Sequence, residues 1–450
     1  MSLSKWSVVA IDMRVLVLFA LTVEIAAGSA LLASEPAASP FRSAFLAQFP
    51  KAEATGAALE LERIAATLGL DLVPKEESLA PPAEGGPKEM EARPKSFPVN
   101  GNQRSRPAAE EIAAYQQAAS SVSEFVDREL KTPEERIGAP PAPSERFLSD
   151  HEGAMAAVES VLLRVAEVQW EMDVTQGHAA PIPNIQGQLR LQKLLVARAL
   201  IEARRGETES ALQTLEASWR FNETLSSRPE FISQLIVVAV AKLHAGALRK
   251  LDTPAYGWAD RLRSQSLFSG FLAAFQNQVW YSNDVQDLTG EAGAFGRILR
   301  QVAEEFQRHD LCWWTPEKLQ ETWNLATREQ DDPTADYRAP NLMRTFERWR
   351  HYLIDAELTA LILDARAERA ASRQHAWPEK LLSVGRGVCP DAGWSYRPSA
   401  KGMATFAFEG RIVEDEGVAL RLPLTFTAGV PVSPATQTPK PTPKPTPRKS

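Results

Sequence analysis

Cys312 and Cys389 are the only thiols in a chain of 450 residues. Two cysteines are too few for a Cys-rich zinc site, and they lack the C-x-x-C spacing of a dithiol redox centre. In an oxidising compartment they can pair and close a loop of 77 residues (389 − 312), worth roughly 4–5 kcal/mol in the chain-entropy model. Two separate buried thiols satisfy the same sequence, so both arrangements stay open. The six histidines are His151, His178, His244, His309, His351 and His375. None has H-E-x-x-H spacing or a carboxylate in a known ligand arrangement. His309 stands three residues before Cys312 in RHDLCWW, a spacing open to two ligands, but the adjoining tryptophans read as a packing corner. His244 sits in an apolar stretch and reads as a hydrogen-bonded core histidine.

Among the carboxylates, Asp284, Asp287, Glu291, Glu304 and Glu305 fall on or near expected helix ends that can line a cleft. A polysaccharide hydrolase needs two such groups at a fixed separation, one with a raised pKa, and a sequence does not supply separations. Charged helix faces are mostly solvated surface, which is the default reading of these residues. Trp313, Trp314 and Trp323 can stack on a sugar or peptide, although clustered tryptophans more often pack between helices. The sequence contains no G-x-S-x-G elbow, P-loop or G-x-G-x-x-G fingerprint. No catalytic, cofactor-binding or metal-ligating residue is assigned.

The elements that must carry these residues begin with the strongest signal for location. Lys5 and Arg14 precede a 19-residue, mainly apolar run, Val15–Ala33, interrupted by the single charge of Glu24. As a helix it spans about 28 Å, close to the hydrocarbon thickness of a bilayer. Its apolar side chains outweigh the roughly 2–3 kcal/mol cost of a central carboxylate. Residues 1–34 therefore read as a membrane anchor, or as a signal peptide cut near Gly28 and Ala30. Either way the basic start leaves the body outside the cytoplasm, in the cell envelope. The net charge of −7, with Lys and Arg scattered among Asp and Glu, excludes the clustered positive field that nucleic acid requires.

Beyond the anchor the 32 prolines collect in connections between helices. A short helical segment (35–73) carries Leu61, Ile64 and Leu68 at helical spacing with Gly69 as its stop. A Pro-rich linker (74–107) follows. A helical body (108–340) then has helices over Ala108–Leu130, Glu145–Val168, Trp258–Gln278 and Gly293–Arg308. At its centre Asn184 is a good N-cap, Gly206 a stop, Thr208 a second start, and Leu191, Leu194, Leu195, Leu212, Leu215 and Trp219 the apolar stripes. Pro229 suits the first turn of a helix whose LIVVAVA core, Leu235–Ala241, is too short to span a membrane and reads as buried. Thr315 and Pro316 start another helix. A long helix from about Asn341 to Arg373 and a small sheet (341–430) come next, with strands at Trp394–Arg397, Thr405–Phe408 and Val418–Phe426 around an SAKG turn. A disordered Pro/Thr/Lys tail (431–450) carries Lys440, Lys444, Arg448 and Lys449, which can touch anionic polymers or lipid headgroups. The expected fold class is mainly α, with packed αα-hairpins in an irregular, solenoid-like body and a small C-terminal antiparallel sheet.

The stretch ALIEARRGETESALQTLEASWRF, within 188–227, resembles one tetratricopeptide-type hairpin, with Gly206, Ala211, Leu215 and Ala217 at its small and apolar positions. No 34-residue period continues it into a regular array. FPKAEATGAALELERIAATLGLDL, APIPNIQGQLRLQKLLVARALIEARRG and SSRPEFISQLIVVAVAKLHAGALRKL together resemble a group of uncharacterised bacterial envelope proteins. The ending ALILDARAERAASRQHAWPEKLL, then CPDAGWSYR, is similar to the helix-then-sheet module of pseudopilins, matching at His375, Trp377, Pro378 and Leu381. Pseudopilins carry that helix at the N-terminus, whereas here it begins near Asn341. The resemblance implies shape and envelope location and no catalytic residue. The expected function is a non-enzymatic envelope protein, held at the membrane by its N-terminal helix, that presents helical hairpins to a protein or peptide partner. The alternatives are an envelope polymer hydrolase on a helical scaffold and an accessory of a secretion or pilus-like system.

Overall fold

A computed structural model of the chain describes residues 45–74, 104–265, seven positions between 267 and 277, residue 305, and residues 316–328, 335–381, 393–399, 402–409 and 424–429. Outside the described residues lie the expected anchor, most of the 74–107 linker and the tail. So do Cys312, Cys389, His309, Trp313, Trp314, Asp284, Asp287, Glu291, Glu304 and the side chain of His178. The described chain is mainly helical, with one three-stranded antiparallel sheet at its C-terminal end, as the periodicities lead one to expect.

Helix α1 (Gly56–Thr67) starts where Thr55 Oγ1 accepts the Ala58 N–H at 3.3 Å, and stops before Gly69, whose φ of +72° reverses the chain. Helix α2 (Ala109–Lys131) follows the linker. The single helix expected over Glu145–Val168 is two, α3 (Ala142–Asp150) and α4 (Glu152–Arg164), with a corner at His151. His151 Nδ1 bonds the Phe147 carbonyl at 2.9 Å while its ring stacks on that phenylalanine. The corner lets α3 pack on α2 while α4 packs on α1 and the centre of the body. The chain after α4 runs extended, and Met172 pairs with Ala52.

Three successive helices make the centre: α5 (Ile185–Arg204), α6 (Thr208–Ser226) and α7 (Phe231–Lys250). Asn184 Oδ1 caps Gly187 N at 3.3 Å, and Gly206 turns the chain at φ +82°. Pro229 does not enter the first turn of α7. It precedes Glu230, the capping residue. By length and hydropathy (mean 1.7) α7 could cross a membrane, yet 72% of that stretch is buried, against α5, α6 and a later helix, so it is a core helix. Gly187 lets the first turn of α5 lie on the Asp71 backbone, and a Cβ there would overlap the Asp71 carbonyl oxygen. Gly187→Ala is therefore expected to lower stability by about 1–3 kcal/mol, read as the urea midpoint. An unchanged midpoint would disprove the close approach.

Helix α8 (Trp258–Ser264) breaks at Gln265, within the span expected to reach Gln278, although the described positions beyond it are helical again. Helix α9 (Pro316–Arg328) begins at the expected proline, and Trp323 is buried in the main core. Helix α10 (Ala335–Ala371) starts six residues before the expected Asn341 and runs past Pro340. Proline removes one N–H, whereas the helix keeps the ladder on either side and packs on α7, α8 and α9. Strands β1 (Gly393–Pro398), β2 (Ala404–Glu409) and β3 (Thr425–Ala428) pair in order, with Trp394 opposite Phe408 and Phe406 opposite Phe426. Of the expected third strand Thr425 and Phe426 fall in β3, and Val418, Leu420 and Leu422 lie outside the described residues. The inner faces of Phe406 and Phe426 close over Ile354, Leu358 and Ile362 of α10, making a second core beside the main one.

Candidate functional site

The residues singled out by the sequence come together only in part. Trp377 is buried in the second core, donates Nε1–H to the Gly402 carbonyl at 2.9 Å, and carries the Arg369 guanidinium 4.5 Å from its ring centroid. Tyr396 donates to the Pro378 carbonyl at 2.8 Å. The His375–Leu381 element thus packs against the sheet, with exposed His375 at φ +50°.

Two clusters invisible in the sequence have the residue types of catalysis. In the first, Ser218 of α6 and His244 of α7 form a serine–histidine pair, Oγ to Nε2 2.8 Å, and Ser218 Oγ also bonds Gln192 Oε1 of α5 at 2.5 Å. A nucleophile and base of this kind also need solvent access and a third group to orient the imidazole. Both side chains are 0% exposed, and among the described residues no hydrogen-bond partner meets His244 Nδ1. Burial pushes the imidazole down to about 3, so it is neutral near pH 7 and a poor base. The proton count then closes simply. Ser218 donates to Gln192 Oε1 and receives from His244 Nε2–H, which joins three helices. The core reading of His244 is met at Nε2 and not at Nδ1.

The second cluster joins α4, α5 and α6. Thr214 Oγ1 lies 3.1 Å from Glu159 Oε1 and 2.9 Å from Glu202 Oε2, and Arg198 Nε is 3.1 Å from Glu159 and 2.8 Å from Glu202. One hydroxyl carries one proton, so it donates to a single carboxylate at a time, while Arg198 stands within reach of both. Burial raises the Glu159 pKa, against the opposing pull of Arg198 and the Thr214 hydrogen bond. Two carboxylates, one with a raised pKa, are the residue types of general acid–base glycoside hydrolysis. Here the pair is largely enclosed between helices.

Toward the surface, Arg261 of α8 lies 4.8 Å from the Trp258 ring and 5.5 Å from Trp219, which are themselves edge-on at 5.4 Å. Arg261 and Arg220 both hydrogen-bond Glu216. Burial alone would raise the Glu216 pKa, but these two guanidinium groups hold it below the usual range. Tyr256 stands exposed beside this corner.

The densest charge cluster lies where the body meets the C-terminal module. At the end of α7, Arg249 donates to Asp355 Oδ1 at 2.6 Å and Thr359 Oγ1 at 2.7 Å on α10. Arg366 of α10 reaches back to the Leu248 and Arg249 carbonyls at 3.0 and 2.7 Å, where a guanidinium complements the carboxyl-terminal end of a helix. It also pairs with Glu135 at 2.6 Å, and Glu135 Oε2 accepts the Gly429 N–H. Lys250 donates to the Thr132 and Glu134 carbonyls at 3.3 and 2.5 Å. Burial lowers its pKa to about 8, although Glu129, Glu134 and Glu135 oppose that. The α2–α3 connection is thereby laid along β3. Glu134 bridges Thr427 in parallel, and Thr427 N donates to the Pro133 carbonyl at 2.9 Å. Arg249, Arg366, Glu135 and Asp355 are all buried.

Scans against protein-family models, curated proteins and solved structures find no match to this chain.

Proposed function

We propose that this chain is a non-enzymatic envelope protein, held at the membrane by the Val15–Ala33 segment, whose helical hairpins carry the C-terminal helix-and-sheet module toward a protein or peptide partner. One observation carries the reading: buried charge joins α7, α10, the α2–α3 connection and β3 into one clasp. Such pairs contribute little net stability against apolar side chains of equal volume, but they hold elements in one arrangement. A frame that fixes a small module is what a presenting scaffold needs. Cell fractionation with N-terminal sequencing tests the location, with the full-length or trimmed product expected in the membrane or extracytoplasmic fraction. Soluble cytosolic protein retaining Met1 would remove it. Affinity capture of the detergent-solubilised chain, compared with an Arg366→Ala chain, tests the scaffold. A stoichiometric partner lost with the clasp supports it, and a partner indifferent to the clasp opposes it.

The Glu159–Thr214–Glu202 cluster favours a second reading, hydrolysis of an envelope polymer. On that reading Glu159→Gln abolishes release of soluble fragments from isolated wall material while the fold stays intact. Parent protein that releases none, or a Glu159→Gln chain as active as the parent, dismisses it.

A further inference from the structure

The facing stripes of α5 and α6 have one repeat. On α5 it is Gln188, Gln192, Leu195 and Ala199. On α6 it is Ala211, Leu215, Ser218 and Asn222, and both follow i, i+4, i+7, i+11 spacing. All eight are buried, none more than 2% exposed. The turn at Gly206 makes the helices antiparallel, and the Ser218–Gln192 hydrogen bond sets their register. That register brings Ala199 level with Ala211, Leu195 with Leu215, and Gln188 with Asn222. The seam is therefore apolar near the turn and polar away from it. Helix α7 closes the third side, with the Val237 carbonyl accepting Asn222 Nδ2–H at 3.1 Å.

Hydrogen-bonding capacity at the polar end exceeds what these side chains use. Among the described residues, Gln188 Oε1, Gln188 Nε2 and Asn222 Oδ1 meet no protein partner although each atom is sealed from bulk solvent. Native interiors seldom leave a whole amide unpaired, and supply internal water where protein groups do not reach. The occupant must donate to two carbonyl oxygens and accept from an amide N–H. It must also be neutral, because Gln188, Gln192, Ser218 and Asn222 carry no charge. Water meets both conditions, whereas a simple cation or anion meets only one side of the pattern.

We infer that the polar end of the α5–α6–α7 seam is a binding site for internal water, with Gln188 and Asn222 as its ligands. A high-resolution crystal structure of the full chain tests this, alongside the melting temperature of Gln188→Met, a change that removes the amide at similar volume. The expected result is solvent density at hydrogen-bond distance from both Gln188 and Asn222, with a variant that melts no higher than the parent. Two results overturn the site: no density there, or a Gln188→Met chain that melts several degrees higher, as relief of a dry, unpaired amide would cause. If the variant fails to fold, density in the parent decides alone.

Discussion

Arg366→Ala is expected to destabilise the protein by about 3–5 kcal/mol, the usual consequence of removing one partner from a buried ion pair. The loss has two parts. Glu135 would remain buried without its guanidinium partner, keeping the Gly429 N–H and the nearby Lys250, and the Leu248 and Arg249 carbonyls at the end of α7 would lose their donor. Because Arg366 and Glu135 are 231 residues apart, the damage falls on the junction between body and module rather than on either helix alone. Replacing Arg366 and Glu135 together with methionine should restore the part due to the stranded charge, while the Leu248 and Arg249 carbonyls still lack their donor. Chemical denaturation of Arg366→Met, Glu135→Met and the double methionine variant measures the charge-pair part as a coupling energy. A single Arg366→Ala loss below about 1 kcal/mol would mean that the pair is effectively solvated and the clasp is no clasp.

Acid should loosen the fold well above the carboxylate range. His244 and His351 are both buried, and burial pushes each down to about 3, with Lys242 and Arg350 adding to the effect at His351. A lowered folded-state pKa in a basic group means that the native state prefers the neutral ring. This contribution is complete above the ordinary value of 6.5 and is lost as pH falls from there toward 3. At pH 5 each ring costs roughly 2 kcal/mol, on the order of 4 kcal/mol for the pair. Asp173, held down to about 2 by hydrogen bonds from Thr175, Gln176 and Lys51 that outweigh its burial, loses its contribution only at lower pH. Glu62 and Glu159, raised chiefly by burial, act in the opposite sense as they take up protons. His244→Gln keeps a donor for Ser218 and cannot titrate, so it should flatten the histidines' part of the fall in denaturation midpoint between pH 7 and 5 by about half. A slope equal to the parent's would show that the imidazole is already hydrated in the native state.

Local features were legible because their causes are local. Asn184 as a cap, Gly206 and Gly69 as stops, Thr208 and Pro316 as starts and the SAKG turn each depend on residues a few positions away. The apolar face of α7 was legible as core for the same reason: a segment apolar on every side, yet bounded by Gln234 and Lys242, has to find protein around it. The corner at His151 leaves no mark in the sequence pattern because the helical period continues through it. The turn comes from packing α3 and α4 on different neighbours. Asp284 and Glu304 lie outside the described residues, whereas Glu159 and Glu202 meet at Thr214, a grouping that chain spacing alone does not reveal.

The amino-acid order alone determined a mainly helical chain, its hairpin centre and its C-terminal sheet, since each follows from periodicity and capping within a few turns. Tertiary structure alone decided which charges are buried. Arg249 and Arg366 look like any solvated helix-face arginine until α10 lies along α7 and the Pro133–Glu135 strap lies on β3. Desolvation depends on what comes to rest on a side chain, and here that neighbour is more than 100 residues away in the chain.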